Sequence, residues 1–223
     1  MAHVPGVNVR GASAALSAAA LVLWSWPSVG ASADQRQCRQ RGTAEIERTI
    51  QVLGLEPGHV VAEIGAGDGR FSLRFAEVVG SEGHVYANEL DESDVRRIRR
   101  SAEDRDLGNV IAVQGAVDQT NLPDACCDAM MMRMVYHMLT RPEPMARSFF
   151  RALKPGGRLI ILEGDPEPNR RNARGVPANR AGMGIDPQIV IDELAKVGFV
   201  LVRRIPEWVG ADYALLFEKP AGG

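Results

Sequence analysis

Residues 59–70 read HVVAEIGAGDGR: a short apolar run, an acid, then three glycines alternating with Ala66 and Asp68. Val60, Val61, Ala62 and Ile64 predict a strand that runs directly into the glycines. Residues 70–79, RFSLRFAEVV, return to helical spacing through Phe71, Phe75 and Val78. Strand, glycine loop and helix in succession put bare main chain at the carboxyl end of a strand, where a ligand can approach closely. A nucleotide-like ligand is the first hypothesis. A dinucleotide site needs G-x-G-x-x-G, with a small sixth residue that lets the helix pack on the strand, and Arg70 stands at that position. Glu63 and Asp68 flank the glycines and fit a polyanionic pyrophosphate poorly. They fit a ligand carrying hydroxyl, amine and cationic groups, and S-adenosylmethionine has all three.

Outward from the loop, strand and helix alternate. Residues 43–53 place Ile46, Ile50 and Leu53 on one helical face, and Leu55-Glu56-Pro57-Gly58 ends that helix. HVYANEL (84–90) predicts a second strand ending at Glu89, whose carboxylate is suited to accept hydrogen bonds from two ribose hydroxyls. Residues 91–106 predict a helix with acids first and arginines later, in the order the helix dipole favours. VIAVQ (110–114) is a third strand, followed by a turn in which Asp118 either receives the exocyclic amine of adenine or forms an ordinary Asx turn. DAMMMRMV (128–135) is a fourth strand, and its adjacent methionines suit a central strand covered on both faces. A helix over 143–153 closes at Lys154-Pro155-Gly156-Gly157. Then come a strand over 158–164, a long loop over 165–184, a helix over 187–197 and two last strands in FVLVRRI and DYALLFEK, read as an antiparallel hairpin. The pattern predicts a doubly wound, mainly parallel α/β sheet in a single domain.

Composition narrows the function. The 223 residues carry 26 Lys and Arg against 28 Asp and Glu, a net charge of -2 that gives no drive toward nucleic acid or anionic lipid. Three cysteines, two of them adjacent (Cys126, Cys127), cannot build a disulfide framework. His3, His59, His84 and His137 have no ligand spacing, so no metal is expected. Residues 11–26, GASAALSAAALVLWSW, are uncharged and lead to Ala31-Ser32-Ala33, the pattern of a cleaved signal peptide over residues 1–33, with 34–42 as linker and 43–223 as the domain. That places the domain in the periplasm or outside the cell, with no stable membrane span unless the leader is retained. The alternative is an uncleaved anchor with the domain in the cytoplasm, since Arg36, Arg39 and Arg41 follow the apolar run.

VVAEIGAGDGRF, HVYANELD, GAVDQTNLPD, MVYHML and LKPGGRLIILE resemble, in order and spacing, the successive motifs of class I S-adenosylmethionine-dependent methyltransferases, over roughly residues 43–218. More narrowly, Tyr136-His137-Met138-Leu139 resembles the YHHF-like signature of a bacterial subgroup that bears signal peptides, with Met138 replacing its second histidine. The resemblance implies a Rossmann-like seven-stranded sheet in order 3-2-1-4-5-7-6 with the last strand antiparallel. It also implies cofactor contacts at Glu63, Gly65, Gly67, Glu89 and Asp118, with Ile64, Ala66, Leu90 and Gln119 in the same contact set. Ala116 stands where many relatives carry an acid.

The expected activity is methyl transfer to a small-molecule acceptor. The alternatives are an inactive binding or regulatory module on the same fold and, more remotely, a nicotinamide-dependent oxidoreductase. Transfer from a sulfonium is an in-line displacement to which positioning and desolvation contribute most, so no fixed catalytic triad is required. The candidate catalytic residues at the end of the fourth strand are Arg133, Tyr136 and His137, with His137 either a base or a structural histidine. Arg170, Arg171, Arg174 and Arg180 of the long loop either present cations to an acidic substrate or lie in solvent.

Overall fold

A computed structural model describes residues 1, 3, 33–167, 171, 174–180 and 182–222. The leader expected over 1–33 lies outside the described residues apart from Met1, His3 and Ala33, as does Arg170. In chain order the elements are α1 (Ala33–Leu53), β1 (Val60–Ile64), α2 (Arg70–Val79), β2 (His84–Glu89), α3 (Glu92–Glu103), β3 (Val110–Gln114), β4 (Cys127–Arg133), α4 (Pro142–Ala152), β5 (Leu153–Glu163), α5 (Pro187–Lys196), β6 (Val200–Pro206) and β7 (Tyr213–Glu218), with one 3₁₀ turn at Tyr136–Met138.

The seven strands form one sheet in the order β3-β2-β1-β4-β5-β7-β6, as the resemblance implies. β1 pairs in parallel with β2 on one side and β4 on the other, so the order reverses between β1 and β4. Open α/β sheets bind their ligands at that reversal, outside the carboxyl ends of the strands. β7 runs antiparallel to both β5 and β6, which makes the expected terminal hairpin.

The alternation of β4 divides the core. Met130 and Met132 pack with Ile64, Phe149, Ile161 and Leu194 beneath α4 and α5, while Met131 packs with Ile46, Ile50, Val61, Phe71 and Phe75 beneath α1 and α2. All three methionines are fully buried. Successive strand side chains point to opposite faces, so a run of apolar residues is what a strand covered by helices on both sides requires.

Two elements extend beyond their expected bounds. Residues 34–42, expected as linker, are helical and continue α1 toward its amino end. β5 begins at Leu153 and takes in Lys154-Pro155-Gly156-Gly157, expected to close the preceding helix. That segment finds ladder partners past the end of β7: Gly156 N donates to Lys219 O at 2.7 Å, and Lys219 N donates to Gly157 O at 2.9 Å. Within the loop over 165–184, Arg180 is buried rather than solvated and pairs with Glu193 at 2.7 Å.

Candidate active site

The glycine loop is held by its neighbours. Gly65 N and Ala66 N both donate to Asn88 O, at 2.9 and 3.0 Å. Gly67 N donates to Glu89 Oε1 at 2.7 Å, and Arg97 donates to Gly67 O at 3.0 Å. Gly65 has φ 74°, and a Cβ there would lie 2.6 Å from Val135 Cγ2. A side chain at Gly65 is therefore excluded by both conformation and space. Gly67, at φ 57°, has no heavy atom within 4 Å of where a Cβ would stand, so its main chain faces open space.

Beside the loop lies a cavity of about 270 Å³ at the carboxyl ends of β1, β2 and β4. Ile64, Gly65, Glu89 and Leu90 of the expected contact set line it, joined by Asn88, Val117, Met132, Val135, Met138, Leu139, Thr140 and Met145. Leu90, Val117 and Met138 are about half exposed, at 52%, 52% and 47%, and form an apolar rim. Glu89 accepts Gly67 N on one oxygen and Leu90 N on the other, at 2.7 and 2.9 Å. An ionised carboxylate offers about four acceptor positions, so two remain for ligand hydroxyls.

Several residues of the expected contact set do not line this cavity. Glu63 is buried and does not line this cavity; it accepts from Ser72 N at 2.8 Å and from Ser72 Oγ at 2.5 Å, tying β1 to the first turn of α2. Burial pushes its carboxyl up to about 8, against the opposing hydrogen bonds from Ser72. Ala66 and Gly67 shape the loop without lining the cavity. Asp118 is ion-paired to Arg141, and Gln119 O accepts from Ala116 N at 2.8 Å, closing a tight turn that presents Val117 to the cavity instead of either of them.

The three expected catalytic side chains all make bonds within the protein. His137 is buried, with Nδ1 2.9 Å from Glu163 Oε2 and its backbone N donating to Glu163 Oε1 at 3.2 Å. Tyr136 is fully buried and donates to Glu193 at 3.0 Å; burial first, and then the Glu193 charge, holds its phenol well above the ordinary range. Arg133 donates to Glu45 at 2.7 Å and to Gly210 O at 2.9 Å. None of the three lines the apolar cavity. The 3₁₀ turn explains the arrangement: it buries Tyr136 and His137 and leaves Met138 at the rim. The lining residues that sequence reasoning missed are chiefly apolar, and in a sequence they are indistinguishable from core.

A second cavity, of about 330 Å³, is polar and lined by Gln37, Arg41, Gly42, Glu45, Arg70, Arg133 and Gly210. Among the described residues no group of three or more His, Cys, Asp or Glu side chains could hold a metal, and no helix is long and apolar enough to cross a membrane.

Residues 62–161 match the family described as a methyltransferase domain. That match covers slightly under half of the chain, and the fold is the one found in S-adenosylmethionine-dependent methyltransferases. It is 34% identical over 116 residues to the ubiquinone/menaquinone biosynthesis C-methyltransferase UbiE of Vibrio campbellii, a match covering 52% of this chain and 45% of that protein. The corresponding protein of Vibrio cholerae is also 34% identical over 116 residues, with the same coverage. The chain thus spans about half the length of the curated relatives it matches. A SAM-dependent methyltransferase of Aquifex aeolicus shares the fold with a TM-score of 0.64 at 19% identity, covering 81% of this chain and 97% of that one. The [4+2]-cyclase SpnF shares it with a TM-score of 0.66 at 19% identity, covering 88% and 87%.

The domain and fold imply S-adenosylmethionine as cofactor. The site fits it: Glu89 has acceptor capacity for ribose hydroxyls, Leu90 and Val117 offer apolar surface for a base, and the main chain at Gly67 is unobstructed.

Proposed function

We propose that the chain transfers the methyl group of S-adenosylmethionine to a small-molecule acceptor at the carboxyl edge of β1 and β4. The observation that carries this reading is the apolar cavity at the strand-order reversal, walled by Gly65 and closed on one side by Glu89. When bound, the cofactor supplies an electrophilic methyl on a sulfonium. Glu89 holds the nucleoside, Gly65 admits it closely, and Leu90, Val117 and Met138 exclude water around it. Glu89 is the one ionisable side chain lining the cavity among the described residues, and it already holds two backbone N–H groups. With no side-chain base to spare, the acceptor atom is one that needs none: a neutral amine, a thiolate, or a carbon made electron-rich by its own conjugated oxygen. The relatives named as C-methyltransferases agree with the last of these.

A second reading keeps the cofactor pocket without transfer. It draws on the cyclase that shares this fold and on the engagement of Tyr136, His137 and Arg133 in structural bonds. Calorimetric titration with S-adenosylhomocysteine tests the pocket; we expect one site per chain, and no detectable heat would reject it. A metabolite screen with labelled methyl donor then separates enzyme from binder, the enzyme reading requiring transfer of label. We further place the chain in the signal-peptide-bearing subgroup with a YHHF-like motif and the domain outside the cytoplasm. Support comes from the leader sequence and Tyr136-His137-Met138-Leu139. Amino-terminal sequencing of the native protein should begin near residue 34; a start at Met1 would favour the anchored alternative.

A further inference from the structure

The polar cavity and the apolar one take lining residues from neighbouring positions of the same segments. Met132 and Arg133 are consecutive on β4, and Met132 lines the apolar cavity while Arg133 lines the polar one. Arg70 opens α2 directly after the glycine loop, whose Gly65 lines the apolar cavity. Among the described residues, three guanidinium groups (Arg41, Arg70, Arg133) and a single carboxylate, Glu45, line the polar cavity, an excess of two positive charges. Glu45 is 1% exposed and lies 2.7 Å from Arg133 and 3.8 Å from Arg70, while Arg133 also donates to Gly210 O at 2.9 Å. The buried acid thus fixes the Arg133 guanidinium before any ligand arrives and draws Arg70 near it, which lowers the ordering a ligand would otherwise impose. Arg41 is exposed and has no ion-pair partner among the described residues. A solvated arginine face would intersperse acids at the surface; among the described lining residues the one acid is buried.

Resting on the methyl-transfer reading above, we propose that this cavity is the acceptor's anion subsite and that the acceptor carries a carboxylate or phosphate group. Guanidinium groups bind such oxyanions through paired, charge-assisted hydrogen bonds. The cofactor's own carboxylate is the competing occupant. Its amino-acid end also carries an ammonium and lies beside the sulfonium, so that end is net cationic and gains little from a cavity with an excess of two positive charges. An anionic acceptor gains from them fully.

The test is calorimetry on the full chain with inorganic phosphate and with benzoate as probes, at low salt, with and without saturating S-adenosylhomocysteine. At least one probe should bind, with affinity changed less than about threefold by S-adenosylhomocysteine. Arg41→Gln should weaken that binding about tenfold, as expected for a lost charged hydrogen bond. Arg41→Lys should restore most of it, and Arg99→Gln, on the exposed face of α3, should leave it unchanged. Displacement of the probe by S-adenosylhomocysteine would give the arginines to the cofactor's carboxylate and overturn the assignment. Equal weakening by Arg99→Gln would reduce the effect to surface charge and overturn it too. Absence of probe binding while S-adenosylhomocysteine binds would reject the subsite alone, whereas failure of S-adenosylhomocysteine to bind would remove the methyltransferase reading and the subsite with it.

Discussion

Glu63 shows how little a residue's type says about its bonding partner. An acid beside a glycine loop reads as a ligand contact, yet its partner is Ser72, nine residues on and inside a helix turn, a pairing that no periodicity announces. Burial holds the carboxyl at about 8 in the folded chain against an ordinary 4.5. Between those values the folded state binds one more proton than the unfolded state. Glu63's contribution to stability is therefore complete below about pH 4.5 and is lost as pH rises through about 8. Glu63→Gln keeps a neutral acceptor for Ser72, so it should flatten the decline in stability from pH 5 to 8.5, by at most about 1.4 kcal/mol per pH unit, the slope for one proton. Urea midpoints measured across that range check it, and parallel curves for variant and parent would refute the shift. Glu89 lines the cavity because the end of a strand exposes its side chain to the crevice whatever the packing behind it. Glu89→Ala should weaken S-adenosylhomocysteine binding by about 1 to 3 kcal/mol. Gly67→Val fills the open space over the loop with a branched side chain at a positive φ, and binding should fall below detection in the same titration while the far-ultraviolet circular dichroism stays unchanged.

Elements were read well wherever a hydrophobic period reported on burial. α2 spans the residues its spacing predicts, and the methionine run of β4 was recognised as a strand with both faces covered. Met131→Ala should cost about 2 to 5 kcal/mol in a denaturant titration, because the side chain is fully buried against residues of α1 and α2 and the space cannot collapse from either side. A loss below about 1 kcal/mol would mean that this face repacks freely. The misjudged boundaries share one cause. The early turns of α1, DQRQCRQR, carry no apolar period, and the first residues of β5 are a strand because Leu153 pairs with Cys127 and Lys219 returns to bond Gly156 and Gly157. Local sequence holds neither fact. The turn at Tyr136–Met138 belongs with these: Glu163 and Glu193, which capture His137 and Tyr136, lie on β5 and α5.

At the scale of the molecule, strand order, helix layers and the cavity's location follow from one decision, the reversal between β1 and β4. The alternating pattern and the glycine loop made a doubly wound sheet legible, while the strand order came with the resemblance to class I methyltransferases. The lining did not follow, because Val117, Leu139 and Met145 reach the cavity only once the sheet has brought three segments together. Ligand occupancy should stabilise the whole fold by mass action: S-adenosylhomocysteine at a hundred times its Kd adds about 2.7 kcal/mol. For a chain of this size that is about 2 to 4 °C per kcal/mol, so a rise of roughly 5 to 10 °C in Tm is expected by differential scanning calorimetry. No rise at saturation would contradict the single-site reading.

Because Met132 and Arg133 sit side by side on one extended strand and serve opposite compartments, the frame of β4 also keeps the two compartments apart. Inserting or deleting a single amino acid upstream of Met132 within the strand would invert every side chain that follows, sending the guanidinium into the oily pocket and the thioether among the arginines. Length changes in descendants of this chain should therefore accumulate in the connections around β4, while the strand itself keeps its parity.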